Sequence, residues 1–380
     1  MYRKYIGILV IVVLICLIGI GVSEGCTAKN KLKDGDIPGI DTRNHSGKDA
    51  SGEGMPGEDD DYIVVGFSQI GSESDWRNAS TESFKNLFTP ENGYYLLYED
   101  AQQKQENQLK AVRNFILQEV DYIILDPIVE TGWDTVLMEA KDAGIPVILV
   151  DRQIVVEDKA LPETAAVGAD KEKDAVPEDD NLYTCWVGSD FAEEGRQAGK
   201  WLEDYLAERG RQDEEIQIVT LQGTPDSSAQ IGRTNGFREI FDAHDNWNML
   251  DYGNGDFTQA KGQEVMEGFL SDYKDIDVVI SENDNMTFGA VEAIGAAGRS
   301  CGPEGDIIII SFDAVRAALE FMKDGRINAD FECNPLLGPM VSEIIGKLEA
   351  GESVEKIQHV EEQYFDASMD LDKILKERVY

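Results

Sequence analysis

The chain has 380 residues and a formal net charge of −40 at pH 7. A negative charge of this size disfavours nucleic acids, anionic membrane surfaces and polyanionic ligands as partners. The sequence holds three histidines, and none of its five cysteines belongs to a C-x-x-C motif or a Cys/His cluster, so it predicts no metal site.

The N-terminus is predicted to be a targeting segment. Two basic residues precede an apolar run over residues 6–22, which is the pattern of a signal peptide, assigned to residues 1–25. The setting of Cys26 resembles a bacterial lipoprotein box, although Ser23 stands where that box usually has Leu. We expect lipidation at Cys26, with plain secretion or an uncleaved anchor as the alternatives. All three predict an extracytoplasmic location, in the periplasm or at the cell surface.

Two further segments are predicted to be linkers. Residues 26–61 are rich in Gly, Ser, Asp and Lys and hold few large apolar side chains. They cannot bury enough surface to offset their ordering entropy, so we expect a flexible acidic tether. Residues 157–181 are acidic and low in aromatic residues, which indicates an insertion in a surface loop.

From residue 62 onward, strand-like and helix-like patterns alternate almost to the end of the chain. The predicted strands cover residues 63–67, 94–98, 122–125, 147–150, 183–187, 216–221, 248–252, 277–281, 307–312, 327–331 and 357–360. The predicted helices cover residues 76–87, 105–118, 133–143, 190–209, 231–242, 259–271, 286–297 and 335–350. Such alternation predicts parallel sheets joined by right-handed helical crossovers. Because roughly 320 residues exceed what one core supports, we predict an α/β fold of two doubly wound lobes facing each other across a cleft.

Six of the apolar runs end at polar side chains that can hold a hydroxyl-rich ligand. In chain order these side chains are Ser68, Gln69, Trp76 and Arg77, then Asp100, Gln102 and Gln103, then Asp151 and Arg152, Asn283 and Asp284, Asp313, and Asn334. Open α/β sheets bind their ligands beyond the carboxyl ends of the strands. A sugar ring needs a flat aromatic surface and groups that each make two hydrogen bonds, which Trp, Asp, Arg and Asn supply. The pattern therefore predicts a monosaccharide site.

Each candidate residue also has a structural alternative that the sequence leaves open. The alternatives are a core Trp76, a strand-end salt bridge between Asp151 and Arg152, a solvated Arg233 at a helix entry, a packed Phe257, a helix N-cap at one of Asn283, Asp284 and Asn285, and a helix N-cap at Asp313. Adjacent opposite charges after a buried strand are costly unless they line a cleft. For that reason we expect Trp76–Arg77 and Asp151–Arg152 to be the main ligand contacts.

The sequence favours a binding protein over an enzyme. Walker and G-x-G-x-x-G patterns are absent, and the histidines do not combine with a serine and an aspartate into a plausible triad. Carboxylate pairs are common in so acidic a chain, so they give no positive support for a glycosidase. No cofactor is expected. Cys185, Cys301 and Cys333 are predicted to be buried free thiols, with one disulfide among them as the alternative.

Longer motifs carry a family resemblance. The matching segments are residues 65–77 (VGFSQIGSESDWR), 102–108 (QQKQENQ), 131–133, 255–258 and 261–267. These segments resemble the sugar-binding proteins of ATP-driven importers, of the ribose/galactose type, and the likeness runs from about residue 62 to residue 366. Within that family the Trp76–Arg77 and Asp151–Arg152 pairs are most similar to the galactofuranose-binding members.

The resemblance implies the type I periplasmic-binding-protein fold, in which two Rossmann-like lobes joined by three crossing strands close around one sugar. It implies an N-terminal lobe of residues 62–188 and 336–360, and a C-terminal lobe of residues 189–335 and 361–380. The ligand contacts implied by the resemblance are Trp76, Arg77, Gln103, Asp151, Arg152, Arg233, Phe257, Asn283, Asp313 and Asn334.

The same resemblance implies the partners. We expect a monomer that captures galactofuranose, or a related furanose or pyranose, and delivers it to the membrane permease of an ABC importer. A sensory protein that presents the sugar to a receptor kinase is the alternative, because one site serves both roles. The chain departs from the family pattern in the long insertion at residues 157–181, in Ser189–Asp190 at a crossing, and in Cys333 beside Asn334.

Overall fold

A computed structural model of the chain describes residues 62–156 and 182–380. The predicted signal peptide, the lipidation candidate Cys26, the tether and the insertion at residues 157–181 lie outside the described residues. Within the part of the chain that the structure describes, no helix is both long and apolar enough to cross a membrane.

The described residues form β-strands and α-helices in near-strict alternation. The strands are β1 (Ile63–Gln69), β2 (Tyr94–Asp100), β3 (Tyr122–Leu125), β4 (Val147–Val150), β5 (Cys185–Gly188), β6 (Ile216–Gln222), β7 (Trp247–Asn254), β8 (Val278–Ser281), β9 (Ile308–Asp313), β10 (Ala329–Glu332), β11 (Ile357–His359) and β12 (Tyr364–Asp366). The helices are α1 (Asp75–Leu87), α2 (Gln105–Leu117), α3 (Asp134–Asp142), α4 (Phe191–Glu208), α5 (Ser228–Phe241), α6 (Gln259–Asp272), α7 (Asp284–Ala296), α8 (Arg316–Lys323), α9 (Gly338–Glu349) and α10 (Leu371–Glu377).

The strands build two six-stranded sheets. The first has the order β11-β5-β4-β3-β1-β2 and is parallel throughout. The second has the order β12-β10-β9-β8-β6-β7 and is parallel except for its edge strand β12, which pairs antiparallel with β10. The prediction of an α/β fold with two doubly wound lobes is confirmed.

The central strands show why the alternation is readable from sequence. All four residues of β3, β4 and β8 are buried, because helices cover both faces of each sheet. Parallel strands in that position appear as short continuous apolar runs rather than as alternating patterns. The edge elements are different, since β12 has three residues and α10 has seven, and neither was predicted. Elements this short carry too few periods to be recognised.

The chain passes between the two sheets three times. The passages follow β5, follow β10, and join β11 to β12. Helix α9 returns to the first lobe, where Val341 and Ile345 share a hydrophobic core with Val65 and Phe67 of β1. The three passages therefore run side by side next to the cleft between the lobes.

In the second lobe, α4 and α5 approach each other so closely that glycine is required at the contact. Gly195 and Gly199 of α4 face α5, and Gly232 and Gly236 of α5 face α4. A Cβ atom on Gly236 would lie 2.0 Å from the carbonyl oxygen of Ala192, which belongs to the backbone and cannot rotate away. This contact fixes the position of two helices that carry charged groups of the cleft.

We predict that Gly236→Ala destabilises the protein by about 3 kcal/mol, because overpacking against rigid backbone lies at the upper end of such costs. Gly268→Ala in α6 is the matched control, since a Cβ atom there meets nothing within 4 Å. We expect the control to stabilise by about 0.5–1 kcal/mol through helix propensity. Denaturant unfolding measures both, and equal effects of the two substitutions would contradict the close contact between α4 and α5.

Candidate ligand-binding site

A cavity lies between the carboxyl ends of the two sheets. Protein atoms leave about 290 Å³ empty there, part of it open to solvent. Eight of the ten residues predicted from sequence line it, namely Trp76, Arg77, Asp151, Arg152, Arg233, Phe257, Asn283 and Asp313. Both lobes contribute to this lining, as expected for a ligand held at facing strand ends.

Arg77 is the centre of the charged network in the first lobe. Its Nε donates to Glu73 Oε1 at 3.0 Å, and its Nη1 lies 3.0 Å from Asp151 Oδ2 and also contacts Asp126. The side chain is only 4% exposed. Burial alone lowers the pKa of Arg77, but the carboxylates of Asp126, Glu73 and Asp151 raise it above its ordinary value, so the guanidinium stays charged.

The Asp151–Arg152 pair is not a simple strand-end salt bridge. Asp151 lies closer to Arg77 than to Arg152, whose Nε is 4.0 Å from the Asp151 carboxylate. Arg152 instead donates from Nη1 to the carbonyl oxygen of Ile128 at 2.8 Å and lies over the Phe257 ring, 5.2 Å from its centre. Asp151 follows β4 with φ 58°, a left-handed conformation that Asp tolerates better than most residues.

Trp76 connects the two lobes. Ser74 caps α1 by accepting from the Arg77 backbone N–H at 3.1 Å, which orients the first turn and the Trp76 side chain. The indole Nε1 donates to the Cys333 carbonyl oxygen at 2.6 Å, and the ring packs in the hydrophobic core of the second lobe. Trp76 is thus a buried aromatic residue that also lines the cavity, so its structural and binding interpretations are compatible.

Arg233 has the corresponding place in the second lobe. Its Nε donates to Glu194 Oε2 at 2.6 Å, its Nη2 lies 3.3 Å from Asp313 Oδ1, and its Nη1 donates to the Glu282 carbonyl oxygen. With 3% of the residue exposed, the interpretation of Arg233 as a solvated helix residue is wrong. Burial raises the pKa of Asp313 well above its usual range, and Arg233 opposes this shift.

The two proposed N-caps have different outcomes. Asn283 does cap α7, because its Oδ1 accepts from the Met286 N–H at 2.9 Å while its Nδ2 donates to the Phe257 carbonyl oxygen at 3.2 Å. Asp313 caps no helix, since α8 begins after Val315, which makes no side-chain cap bond. Its backbone has φ 103°, and its carboxylate faces Arg233.

Phe257 requires a glycine opposite it. A Cβ atom on Gly223 would lie 1.9 Å from Cζ of the Phe257 ring, so the ring covers bare backbone at the carboxyl end of β6. Phe257 itself has φ 59° and precedes Thr258, which caps α6. The loop conformation thus holds one aromatic face at the cavity wall.

Gln103 and Asn334 are not part of the cavity lining. Gln103 is exposed, has φ 57°, and donates from its backbone N–H to the Ile70 carbonyl oxygen at 2.8 Å. The Asn334 side chain accepts from the Leu336 N–H at 3.0 Å, which closes a turn in the passage after β10. Neither side chain therefore joins the other eight in the lining.

Several residues around the cavity were missed from sequence. Glu73, Ser74, Phe191, Ala229 and Cys333 complete its lining. Glu73 stands four residues before Arg77, a spacing that favours an ion pair on a helix and was the available signal. Phe191 and Cys333 carry no comparable signal, because only the tertiary fold brings them to the cleft.

The lobes also meet through hydrogen bonds outside the cavity. The Asp75 N–H donates to Asn285 Oδ1 at 3.0 Å, and the Gln153 N–H donates to Ser228 Oγ at 2.8 Å. The Glu130 N–H donates to the Asp226 carbonyl oxygen at 3.0 Å. The structure therefore shows the lobes closed on each other.

The carboxyl group of Glu282 generates a pH prediction. It accepts from the Gly223 N–H at 2.8 Å and from Thr234, and burial raises its pKa to about 7. An acid whose folded-state pKa is raised binds more protons when folded, so its contribution to stability is complete below about pH 4.5 and is lost as the pH rises through about 7. Relative to Glu282→Gln, the wild type should lose stability between pH 5 and pH 8, by at most about 3 kcal/mol.

Urea unfolding at both pH values measures this difference. Glu264→Gln, which changes an exposed carboxylate on α6, is the control. A stability difference between wild type and Glu282→Gln that is the same at pH 5 and pH 8 would contradict the raised pKa of Glu282.

Comparison with known proteins assigns the family. A family model described as a periplasmic binding protein domain matches residues 65–331. The chain is 41% identical over 281 residues to the galactofuranose-binding protein YtfQ of Escherichia coli, covering 73% of this chain and 79% of that protein. These relatives are binding proteins, and nothing in the family assignment points to an enzyme.

Two solved structures are similar over most of the chain. One is a protein from Mycobacterium smegmatis in complex with β-D-fucofuranose, 38% identical with a TM-score of 0.72, covering 83% of this chain and 97% of that chain. The other is the periplasmic binding protein component of the arabinose ABC transporter from Shewanella sp., bound to α- and β-L-arabinofuranose. It is 40% identical with a TM-score of 0.72, and the match covers 83% of this chain and 95% of that chain. From its two-lobed fold, its cavity and these matches, the chain is a member of the periplasmic binding protein family.

Proposed function

We propose that this protein is the extracytoplasmic sugar-binding component of an ABC importer, which captures a monosaccharide in the cleft and delivers it to a membrane permease. The observation that carries the proposal is a cavity lined from both lobes that combines three aromatic side chains with three buried arginines. The flanking carboxylates of Asp151 and Asp313 complete the set.

The chemistry of the lining suits a neutral polyol. Each cavity guanidinium faces at least one carboxylate, so the arginines leave no uncompensated positive charge to attract an anion. Among the described residues, Arg152 Nε and Glu73 Oε2 are buried without a hydrogen-bond partner, which provides one donor and one acceptor for hydroxyl groups. Trp76 and Phe257 supply apolar surface for the C–H faces of a sugar ring.

The two-lobed arrangement supplies a mechanism for signalling occupancy. A ligand that contacts Arg77 and Asp151 on one side and Arg233 and Asp313 on the other has higher affinity for the closed form than for an open one. It therefore shifts the population towards closure. The hydrogen bonds between the lobes outside the cavity, such as that from Asp75 to Asn285, add to the stability of the closed form. A permease that recognises the closed surface then receives only loaded protein.

The ring form of the sugar is inferred from the relatives. One similar protein is a galactofuranose-binding protein, and two others have solved structures with fucofuranose and with arabinofuranose bound. These relatives support a furanose of the galactofuranose type as the ligand. We further propose that Cys26 is lipidated, that this lipid tethers the protein to the outer face of the membrane, and that the protein acts as a monomer.

We predict that Trp76→Ala and Asp151→Ala each abolish sugar-induced thermal stabilisation. In the wild type, sugar at about 100 times its Kd should raise Tm by about 5 °C. Trp76→Ala removes the aromatic surface, and Asp151→Ala removes a hydroxyl acceptor that also orients Arg77. A thermal-shift screen against furanose-forming and pyranose-only monosaccharides measures the effect.

Asp245→Ala is the control for that screen, because Asp245 is exposed and lies outside the cavity. Melting of each variant without sugar shows whether it still folds. If Trp76→Ala does not fold, the Asp151→Ala result decides. Shifts equal to wild type in both folded variants would contradict the proposed site, and a wild type that no sugar stabilises would contradict the function.

The ring form has its own test. We predict that galactose labelled with carbon-13 at C1 shows a furanose C1 resonance when bound, although the pyranose dominates in free solution. A furanose site selects its ring form because buried polar groups left unpaired by the wrong form are costly. A bound pyranose resonance would contradict the ring assignment and leave the importer function intact.

A further inference from the structure

Three potential metal ligands meet at the passages between the lobes. They are Glu194 in the first turn of α4, Cys333 in the passage after β10, and Glu362 in the passage between β11 and β12. One ligand atom from each lies within 4.8 Å of the other two. The residues are far apart in sequence, which is why the sequence gives no metal-binding pattern.

The cluster is built into the structure and is not a surface feature. Glu194 and Cys333 are buried, with exposed fractions of 4% and 2%. Glu362 Oε1 accepts from the Ser189 hydroxyl and from the Asn334 N–H at 2.9 Å, which connects all three passages. The Ser189 hydroxyl also lies 3.2 Å from Cys333 Sγ.

One polar atom of the cluster is unsatisfied. Glu194 Oε2 accepts from Arg233, but Glu194 Oε1 is fully buried and has no hydrogen-bond partner among the described residues. A buried carboxylate oxygen of this kind normally has a partner in a folded protein. Glu194 Oε1 therefore indicates a group that the protein atoms alone do not supply.

The electrostatics of the cluster favour a cation. Burial raises the pKa of Glu194 well above its usual range and that of Glu362 to about 7, and repulsion between the two carboxylates adds to the shift at Glu194. Arg233 opposes both shifts but is already held by Glu194 and Asp313. Burial raises the pKa of the Cys333 thiol as well. Two carboxylates and a thiol therefore lie together with Arg233 as their one nearby guanidinium among the described residues.

We propose that Glu194, Cys333 and Glu362 bind Zn²⁺. A thiolate with two carboxylates suits Zn²⁺, whereas Mg²⁺ and Ca²⁺ select oxygen ligands alone. Zn–S and Zn–O distances of about 2.3 and 2.1 Å in a tetrahedron place ligand atoms roughly 3.5 Å apart, so atoms at the 4.8 Å limit must approach each other by about 1 Å when the ion binds. The Ser189 hydroxyl or a water completes the tetrahedron. Binding releases the Cys333 thiol proton to solvent, as metal–thiolate formation requires.

The site goes beyond sugar binding but lies next to the cavity. Cys333 holds Trp76 through its carbonyl oxygen, and Glu194 holds Arg233 through its carboxylate. A bound ion competes with Arg233 for the Glu194 carboxylate. It also links the three chain segments that connect the two lobes. Any effect of Zn²⁺ on sugar affinity has an equal reciprocal effect of sugar on Zn²⁺ affinity.

The test is a titration of the sugar-free full chain with Cd²⁺, followed by displacement with Zn²⁺. We expect one equivalent of Cd²⁺ to produce a thiolate-to-metal ultraviolet absorption band, which Zn²⁺ removes. Cys333→Ser should abolish the band, and Glu362→Gln should weaken Cd²⁺ binding at least tenfold. Cys301→Ser and Glu361→Gln are the matched controls, and each should leave the absorption band and the Cd²⁺ affinity unchanged. Cys301 is not part of the cluster, and Glu361 is exposed.

Circular dichroism shows whether each variant folds. If Cys333→Ser does not fold, the comparison of Glu362→Gln with Glu361→Gln decides. The proposal is overturned if the wild type gives no band, if the band persists in folded Cys333→Ser, or if Glu362→Gln binds as tightly as Glu361→Gln. Because no sugar is present, these outcomes are independent of whether the cleft binds a monosaccharide.

Discussion

The cleft depends on two buried guanidinium groups, one in each lobe, that are each held by several carboxylates. Arg77 contacts Glu73, Asp126 and Asp151, and Arg233 contacts Glu194 and Asp313. An unpaired charge at this depth would cost several kcal/mol, so removal of one partner is far more damaging than loss of a surface ion pair. The partners of each arginine come from different elements of one lobe, and therefore each lobe must be correctly packed before its half of the site exists.

The contact between α4 and α5 illustrates this dependence. Glu194 is on α4 and Arg233 is on α5, and their 2.6 Å bond requires the close approach that the glycines permit. In the first lobe, Asp126 follows β3 and Asp151 follows β4, so neighbouring parallel strands bring both carboxylates to the same guanidinium. Backbone geometry thus sets the electrostatics of the cavity on both sides.

The sequence predicted the fold class because buried parallel strands and amphipathic helices each leave a local pattern. It also identified residues that turn out to lie together, since strand ends are easy to locate and their polar side chains are conspicuous. Which charged side chains pair with each other was harder to predict. The neighbours Asp151 and Arg152 suggested a salt bridge, yet Arg77 is the closer partner of Asp151. Asp126 and Glu282 directly follow predicted strands and were overlooked, whereas Glu194 lies in α4 and only tertiary packing brings it to Arg233. The ligand roles of the ten residues remain predictions.

The backbone at Asp151 and Asp313 limits how this cleft can evolve. Both residues have positive φ, at 58° and 103°, a region in which most side chains are strained by about 1–3 kcal/mol. Substitution at either position by a residue other than Asn or Gly therefore changes loop geometry along with side-chain chemistry. Trp76 and Ala229 also line the cavity but stand on regular helices, where many side chains are conformationally acceptable and where a substitution leaves no buried carboxylate unpaired. Divergence towards a new ligand within this scaffold should begin at the helical positions, with the two strand-end aspartates changing last.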